Sequence, residues 1–439
     1  MRASLLSCSL GLLTAAQAAA QGPPAALPPV PAPKAAVVEK AAPVPAAPAP
    51  AAPLLIESGA PAAVAPTLSE ATFTGLTGDG GLAPAGHPFP MCGPRFWIGA
   101  DYTLFWYNSM QVPTLVQTIP SALVNTPNAF PATNFPSDPR VGYNGVSGVR
   151  VNAGVNFDRF GVDFSGFLLQ QQNLDTQLAN DGTPVFLGRP FLDASAGGTP
   201  ATVNISVPNQ YNGAVESTVT SQLYGFDVNA RRAWYTFVAD QTNLLAGFRY
   251  IDLRESVGVS TFSQFPTGDS VAITDLFRTH NSFYGGQIGF NIIYGGTEPG
   301  FGFQFTSKSG IGGVNQRVDI FGSNTITQSG VVTTEAGGLL ARSQNLGGFS
   351  RSKFAYMQDI DLKLTYNFTS NFQVSFGYSL IYLSSVVRAG SFVNPLIDPS
   401  TIRFTNGGAP STPSPVPTFA WNANSFVVQG LTFGAQFQY

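Results

Sequence analysis

The chain has 439 residues, long enough for two or three ordinary domains or one large β structure, yet only 45 of them are Asp, Glu, Lys or Arg. That 10% is far below the roughly 25% of a typical soluble protein, so the surface does not rely on charge for solubility. A net charge of -3 leaves no basic footprint for nucleic acid, and two cysteines, Cys8 and Cys92, build neither a disulfide framework nor a thiolate metal cage.

Arg2, the apolar run Leu5 to Leu13 and the small residues Ala16-Gln17-Ala18 or Ala18-Ala19-Ala20 predict a cleaved export signal over residues 1–20. The run is too short to span a bilayer, and no later stretch offers about 18 consecutive apolar residues, so no transmembrane helix is expected. Residues 21–66 form a linker: between Gly22 and Pro66, 29 of 45 residues are Ala or Pro, a density that blocks helix and sheet and favours a disordered, polyproline-like spacer. Residues 67–93 are an unassigned Gly-containing transition.

From residue 94 to 439 the pattern changes to period two. Phe96, Ile98, Ala100, Tyr102, Leu104 and Trp106 fall on one face and Gly99, Asp101 and Thr103 on the other, a strand with one apolar face. Val149 to Phe157 repeats this, followed by a tight turn at Asp158-Arg159 and a third strand from Phe160 to Gln170. Similar ladders run through about Gln222 to Trp234, Leu244 to Glu255, Phe283 to Tyr294, Phe301 to Val318, Phe354 to Phe368, Phe372 to Leu383 and Val427 to Tyr439, which makes ten. Long connections (about Ser109 to Gly145, Asn173 to Ser217, Ser256 to Asn281, Asp319 to Lys353 and Val387 to Ser425) alternate with short turns. Long loops on one rim and short turns on the other predict an all-β fold, an antiparallel up-and-down transmembrane β-barrel in an outer membrane. The count is ten strands, or twelve if a hairpin lies in Gln111 to Val124 or Val185 to Val207.

The last strand places Leu431, Phe433, Ala435, Phe437 and the terminal Tyr439 on one face, which resembles the signal read by the bacterial outer-membrane assembly machinery. Arg95-Phe96-Trp97 through Phe105-Trp106, Gly247-Phe248-Arg249-Tyr250 with Leu253 and Glu255, and Asn281 to Gly289 follow one another along the chain. Gly377-Tyr378-Ser379, Val386 to Gly390 and Gln429 to Gly434 complete the set. Together these blocks resemble the β-barrel porin family found in planctomycetes (beta barrel porin seven), over about Arg95 to Tyr439. The resemblance implies an outer-membrane location and carries no catalytic residues.

No zinc helix, nucleophile elbow, phosphate loop or calcium loop occurs, so no cofactor, metal or enzymatic activity is expected. His280, a lone histidine where a long loop meets a strand, is expected to be solvated, with a pair to a rim acid such as Asp275 as the alternative, and neither histidine has a clear place on the lipid-facing side. By parity, Asp101, Asp163, Asp227, Asp359 and Asp361 point into the lumen with Arg150, Arg231, Arg249, Lys308 and Lys363, five acids against five bases. Phe105, Tyr107 and Phe167 are aromatic lumen candidates, and Arg388 is expected to order the last loop, with Asp398 near it. The leading reading is a porin-like barrel with limited passage of small solutes or ions, its linker periplasmic and its partners membrane lipids and the assembly machinery. A structural or surface-interaction barrel tethered to the cell wall is the alternative, and an outer-membrane hydrolase centred on His280 the third.

Overall fold

A computed structural model describes residues 96–120, 133–157, 160–180, 185–234, 239–295, 299–402 and 415–439. The expected export signal, linker and transition segment, and the Asp158-Arg159 turn, lie outside the described residues. Ten antiparallel strands close on themselves: Phe96–Tyr107, Val146–Asn156, Gly161–Leu169, Asn212–Trp234, Gln241–Gln264, Ser270–Tyr294, Gly300–Gln328, Gly347–Asn367, Phe372–Val386 and Asn424–Gln438. They are numbered one to ten below. Each pairs with its neighbours in sequence, and the first pairs with the tenth, Tyr102 opposite Phe433. Tyr439 N–H donates to Phe96 O at 2.8 Å and Phe96 N–H to Tyr439 O at 3.2 Å, so the chain ends complete the ring. Closure removes the free edges that hydrocarbon cannot solvate.

Strict alternation is what makes the wall possible. Outward positions such as Ile98, Val151, Phe248, Phe303, Leu364, Phe376 and Phe433 are exposed large apolar side chains. In water such a contiguous surface would be a liability, whereas a bilayer is its solvent. The proposed assembly residues Leu431, Phe433, Ala435, Phe437 and Tyr439 share this outward parity on and beyond the tenth strand.

Strands four to seven are far longer than the alternation suggested, 23, 24, 25 and 29 residues. A tilted crossing uses about 9–11 residues, so more than half of each projects beyond the bilayer. The segment Ser256 to Asn281, expected as a long loop, is instead two continuous strands, and Phe265 N–H closes the turn between them by donating to Asp269 O at 2.9 Å. Gln172–Ala179 pairs with the upper half of strand four, continuing the position that strand three occupies below it.

The barrel has ten strands and not twelve. Within the two regions that left twelve open, Val116–Pro120 and the hairpin Val185–Asp193 with Thr199–Ser206 form a separate sheet, joined by Thr133–Phe135 and, in parallel, Leu396–Ile397. This cap shares a buried apolar cluster with the projecting wall: Leu187, Phe191, Val203 and Ile205 of the cap meet Val215, Val219, Val257, Ile273 and Phe277. Arg189 and Asp275, both buried, lock the two at 2.6 Å.

Candidate functional site

The lumen is built in layers from the inward parity of the ten strands. Nearest the short turns, all ten charged residues read from the sequence sit on the inner face, and each lies within ion-pair distance of another. Arg150 on strand two reaches Asp361 on strand eight at 2.7 Å, and Lys363 on strand eight reaches Asp101 on strand one at 2.8 Å. Arg249 on strand five bridges Asp227 at 2.8 Å and Asp359 at 2.5 Å, while Lys308 lies 3.0 Å from Asp227. Arg231 and Asp163 make a looser contact at 3.6 Å. Arg150–Asp361, Lys363–Asp101 and Arg249–Asp359 join strands that are not neighbours in the wall, so they cross the lumen as struts. Ser379 and Asn152 add hydrogen bonds to Asp361 and Asp101. A cavity of about 110 Å³ remains among these charges, toward the turn end, lined also by Trp97 and Gln436.

Above the charges the same inward positions turn apolar. Phe105, Phe167, Leu223, Ile251, Phe283, Met357 and Val428 pack against one another across the interior. Six of these side chains are 3% exposed or less and Phe167 is 6% exposed, so the wall's own residues fill this level. Tyr107 joins the layer against Phe426, ring centroids 5.7 Å apart.

A third level belongs to the last long connection. Asn281 Nδ2 donates to Val387 O at 2.8 Å, and Val387 N–H donates back to Asn281 Oδ1 at 2.9 Å. Arg388 donates from Nε to both Glu255 oxygens at 2.8 Å and lies over the Phe426 ring, 5.0 Å from its centroid. The partner of Arg388 is thus Glu255 on the wall, not Asp398, whose carboxylate accepts from Ser400 N–H at 2.9 Å. Gly390 is required where it stands, since an added Cβ would lie 2.0 Å from Gln111 O. Beside this latch, burial, reinforced by Glu255, pushes the Tyr143 phenol above its ordinary pKa.

His280 faces outward, where the sequence reading found no place for it. Its Nε2 is 2.6 Å from Asp252 Oδ2 and 3.0 Å from Ser282 Oγ. Asp275, the alternative partner from the sequence, is instead buried inside, taken by Arg189 and by the backbone N–H groups of Leu339, Leu340 and Ala341. Asp252 also accepts from Tyr250 OH at 2.8 Å, Ser282 Oγ at 2.9 Å and Arg254 Nε at 2.8 Å. A serine-hydrolase relay needs the carboxylate on one ring nitrogen and the serine on the other. Here both meet Nε2, and a carboxylate only accepts, so Nε2 carries the hydrogen and is not a base toward Ser282. The signal for this cluster was in the sequence: Asp252 and Arg254 share the parity of the lipid-facing Phe248 and Tyr250.

Among solved structures, the outer membrane protease OmpT from Escherichia coli is similar at 9% identity and a TM-score of 0.34, covering 78% of this chain and 97% of that one. A Pseudomonas aeruginosa FadL homologue matches at 7% identity and 0.20, covering 78% and 90%. The P. putida toluene transporter TodX matches at 6% and 0.18, with the same coverage. No curated protein matches the sequence. The family model described as "Putative beta barrel porin-7 (BBP7)" matches residues 97–439, and the chain belongs to that family.

Proposed function

We propose that this outer-membrane barrel is porin-like but shut in the state described, passing small solutes or ions weakly or not at all. Its short-turn rim and N-terminal linker face the periplasm, and its cap faces outward. The observation that carries the reading is the stacking of three closures in one lumen: the transluminal ion pairs, the apolar layer and the Arg388–Glu255 latch. Eight strands leave an interior just filled by side chains and sixteen an aqueous channel, so ten strands with aromatic inward residues leave little cross-section. The alternative, a structural barrel tethered through its linker, is favoured by that same apolar layer, because wall residues form it and withdrawal of a loop alone does not open it.

Conductance in planar bilayers separates the two. The unmodified protein should give small or no current, and the variant Phe105→Ala/Phe283→Ala/Met357→Ala, refolded as a closed barrel, should give discrete steps. Large stable steps in the unmodified protein would refute a shut lumen. A variant that stays silent with Arg249→Ala, Lys363→Ala and Arg388→Ala added, its barrel intact, would favour the structural reading. A hydrolytic role finds no support at His280, where the serine–histidine–aspartate geometry lacks a relay.

A further inference from the structure

The outer face of strands five to eight carries four consecutive rows along the pairing register. Tyr250 and Tyr284 stand opposite each other in the first. Asp252, Ser282, Asn315 and Ser352 follow in the second, and Arg254, His280, Arg317 and Ser350 in the third. Arg278 and Asp319 face each other in the fourth. On the turn side of these rows the outward residues are the apolar Phe248, Ile288 and Phe290. Tyrosines mark the level where hydrocarbon gives way to headgroups. The basic row therefore stands two residue pairs, roughly 13 Å along the strand, beyond the tyrosines, and strand tilt brings this to about 10 Å along the bilayer normal, within reach of headgroup phosphates for a long arginine side chain.

We infer that this row binds the headgroup phosphate of an anionic lipid in the surrounding leaflet, and the inference holds whether or not the lumen conducts. Its arginines project: the side chains of Arg254 and Arg317 are 53% and 63% exposed, and that of His280 is 40% exposed. The carboxylate beneath them is spent. Asp252 has a side chain with no exposure and accepts four donors, which fixes Arg254, His280 and Ser282 in place without offering free negative charge to the surface. Asp319 is likewise held, by Arg317 Nε at 2.8 Å. Between strands six and eight the wall is concave, a hollow of about 420 Å³ lined by His280, Ser282, Asn315, Arg317, Ser350 and Ser352. Arg317 and Arg351, with hydroxyls and an amide, line this hollow at headgroup height and suit a phosphate with several acceptor oxygens, while Arg254 flanks it one strand away, where it also donates to Tyr224 OH at 3.0 Å. A lipid satisfies the apolar belt below at the same time, which a free anion does not.

Native mass spectrometry of the refolded protein in neutral detergent tests this, with phosphatidic acid, the matching diacylglycerol and inorganic phosphate as probes. Phosphatidic acid should be retained saturably and diacylglycerol should not. The triple variant Arg254→Gln/Arg278→Gln/Arg317→Gln should weaken retention roughly a hundredfold, each basic residue contributing several-fold at a membrane surface. Arg140→Gln, in the connection between strands one and two and paired there with Gln111, should leave it unchanged. Gel migration before and after boiling checks that each variant is a closed barrel. Equal retention of the two lipids, or unaltered retention by the folded triple variant, would overturn the inference. Full displacement of the lipid by an equal concentration of inorganic phosphate would do so too, showing an anion site and not a lipid site.

Discussion

Replacing Arg249 with Ala removes the centre of the lumen's largest charge cluster. Arg249 and Lys308 face Asp227 and Asp359, two charges of each sign, and all four side chains are at most 9% exposed. At an effective dielectric of about 20, contacts of 2.8 and 2.5 Å are worth roughly 6 kcal/mol each before desolvation is subtracted. Without Arg249 the cluster carries a net negative charge, and Asp359 keeps only Lys308, 4.0 Å away. Breaking a buried pair in this way costs about 3–5 kcal/mol, because the abandoned carboxylate stays out of water. The cost is read from urea unfolding in lipid vesicles, followed by tryptophan fluorescence. Arg249→Met combined with Asp359→Leu should recover most of the loss, since it removes one charge of each sign and leaves Asp227 paired with Lys308. A loss below about 1 kcal/mol for Arg249→Ala, the worth of an exposed pair, would refute the strut reading and mean that water screens this part of the lumen.

Unboiled protein should migrate differently from boiled protein in detergent gels, as a closed sheet without a free edge resists unravelling; identical migration would count against closure. Arg in place of Val151 or Phe376, which are 40% and 47% exposed on the outer face, should cost about 2–4 kcal/mol near the bilayer midplane by the same urea titration. Gly434→Ala should destabilise the barrel, because its Cβ would lie 1.8 Å from Asp101 Oδ1 and push that carboxylate off Lys363. Glu255→Gln should speed amide hydrogen exchange from Val387 to Val393 by loosening the charge-assisted bonds to Arg388; unchanged protection would show that the latch is not what holds the segment.

Ten strands were legible because a membrane wall imposes period two wherever one face meets lipid and the other does not. The same physics explains where the reading stopped. Beyond the bilayer, strands five and six face water outside, and Ser256, Ser260 and Thr274 mix with Phe262 and Leu276 on their outer positions instead of a continuous apolar row. The contrast fades there although the hydrogen-bonded ladder continues. The cap hairpin Val185–Asp193 buries Leu187, Arg189 and Phe191 on one side, yet its sequence is a run without polar alternation. Inward charges followed from parity, but their partners lie up to 262 residues apart, and no local pattern encodes that Arg150 meets Asp361 or Arg388 meets Glu255. His280 shows the opposite case. Its neighbours Asp252 and Arg254 broke the apolar run on the outward parity, and that break marked the upper edge of the lipid belt.

The charge count also bears on selectivity. The chain has few charged residues, and ten of them are committed to the lumen as five acids and five bases joined by ion pairs of 2.5 to 3.6 Å. A selective pore presents a ring of one sign, which concentrates counter-ions before they enter. Here each acid is answered by a nearby base, across the lumen or, for Asp163 and Arg231, along the wall, so the fields of the pairs cancel over short distances and the turn-side cavity has no dominant sign. If enlarging the apolar layer opens a path, the current it carries should discriminate weakly between cations and anions. With Phe105→Ala/Phe283→Ala/Met357→Ala in a salt gradient, the reversal potential should lie near zero. Adding Lys363→Gln, which frees Asp101, should shift it toward cation preference. A strongly selective reversal potential before that change would mean that ions pass the outer cap or the latch charges instead of the paired layer.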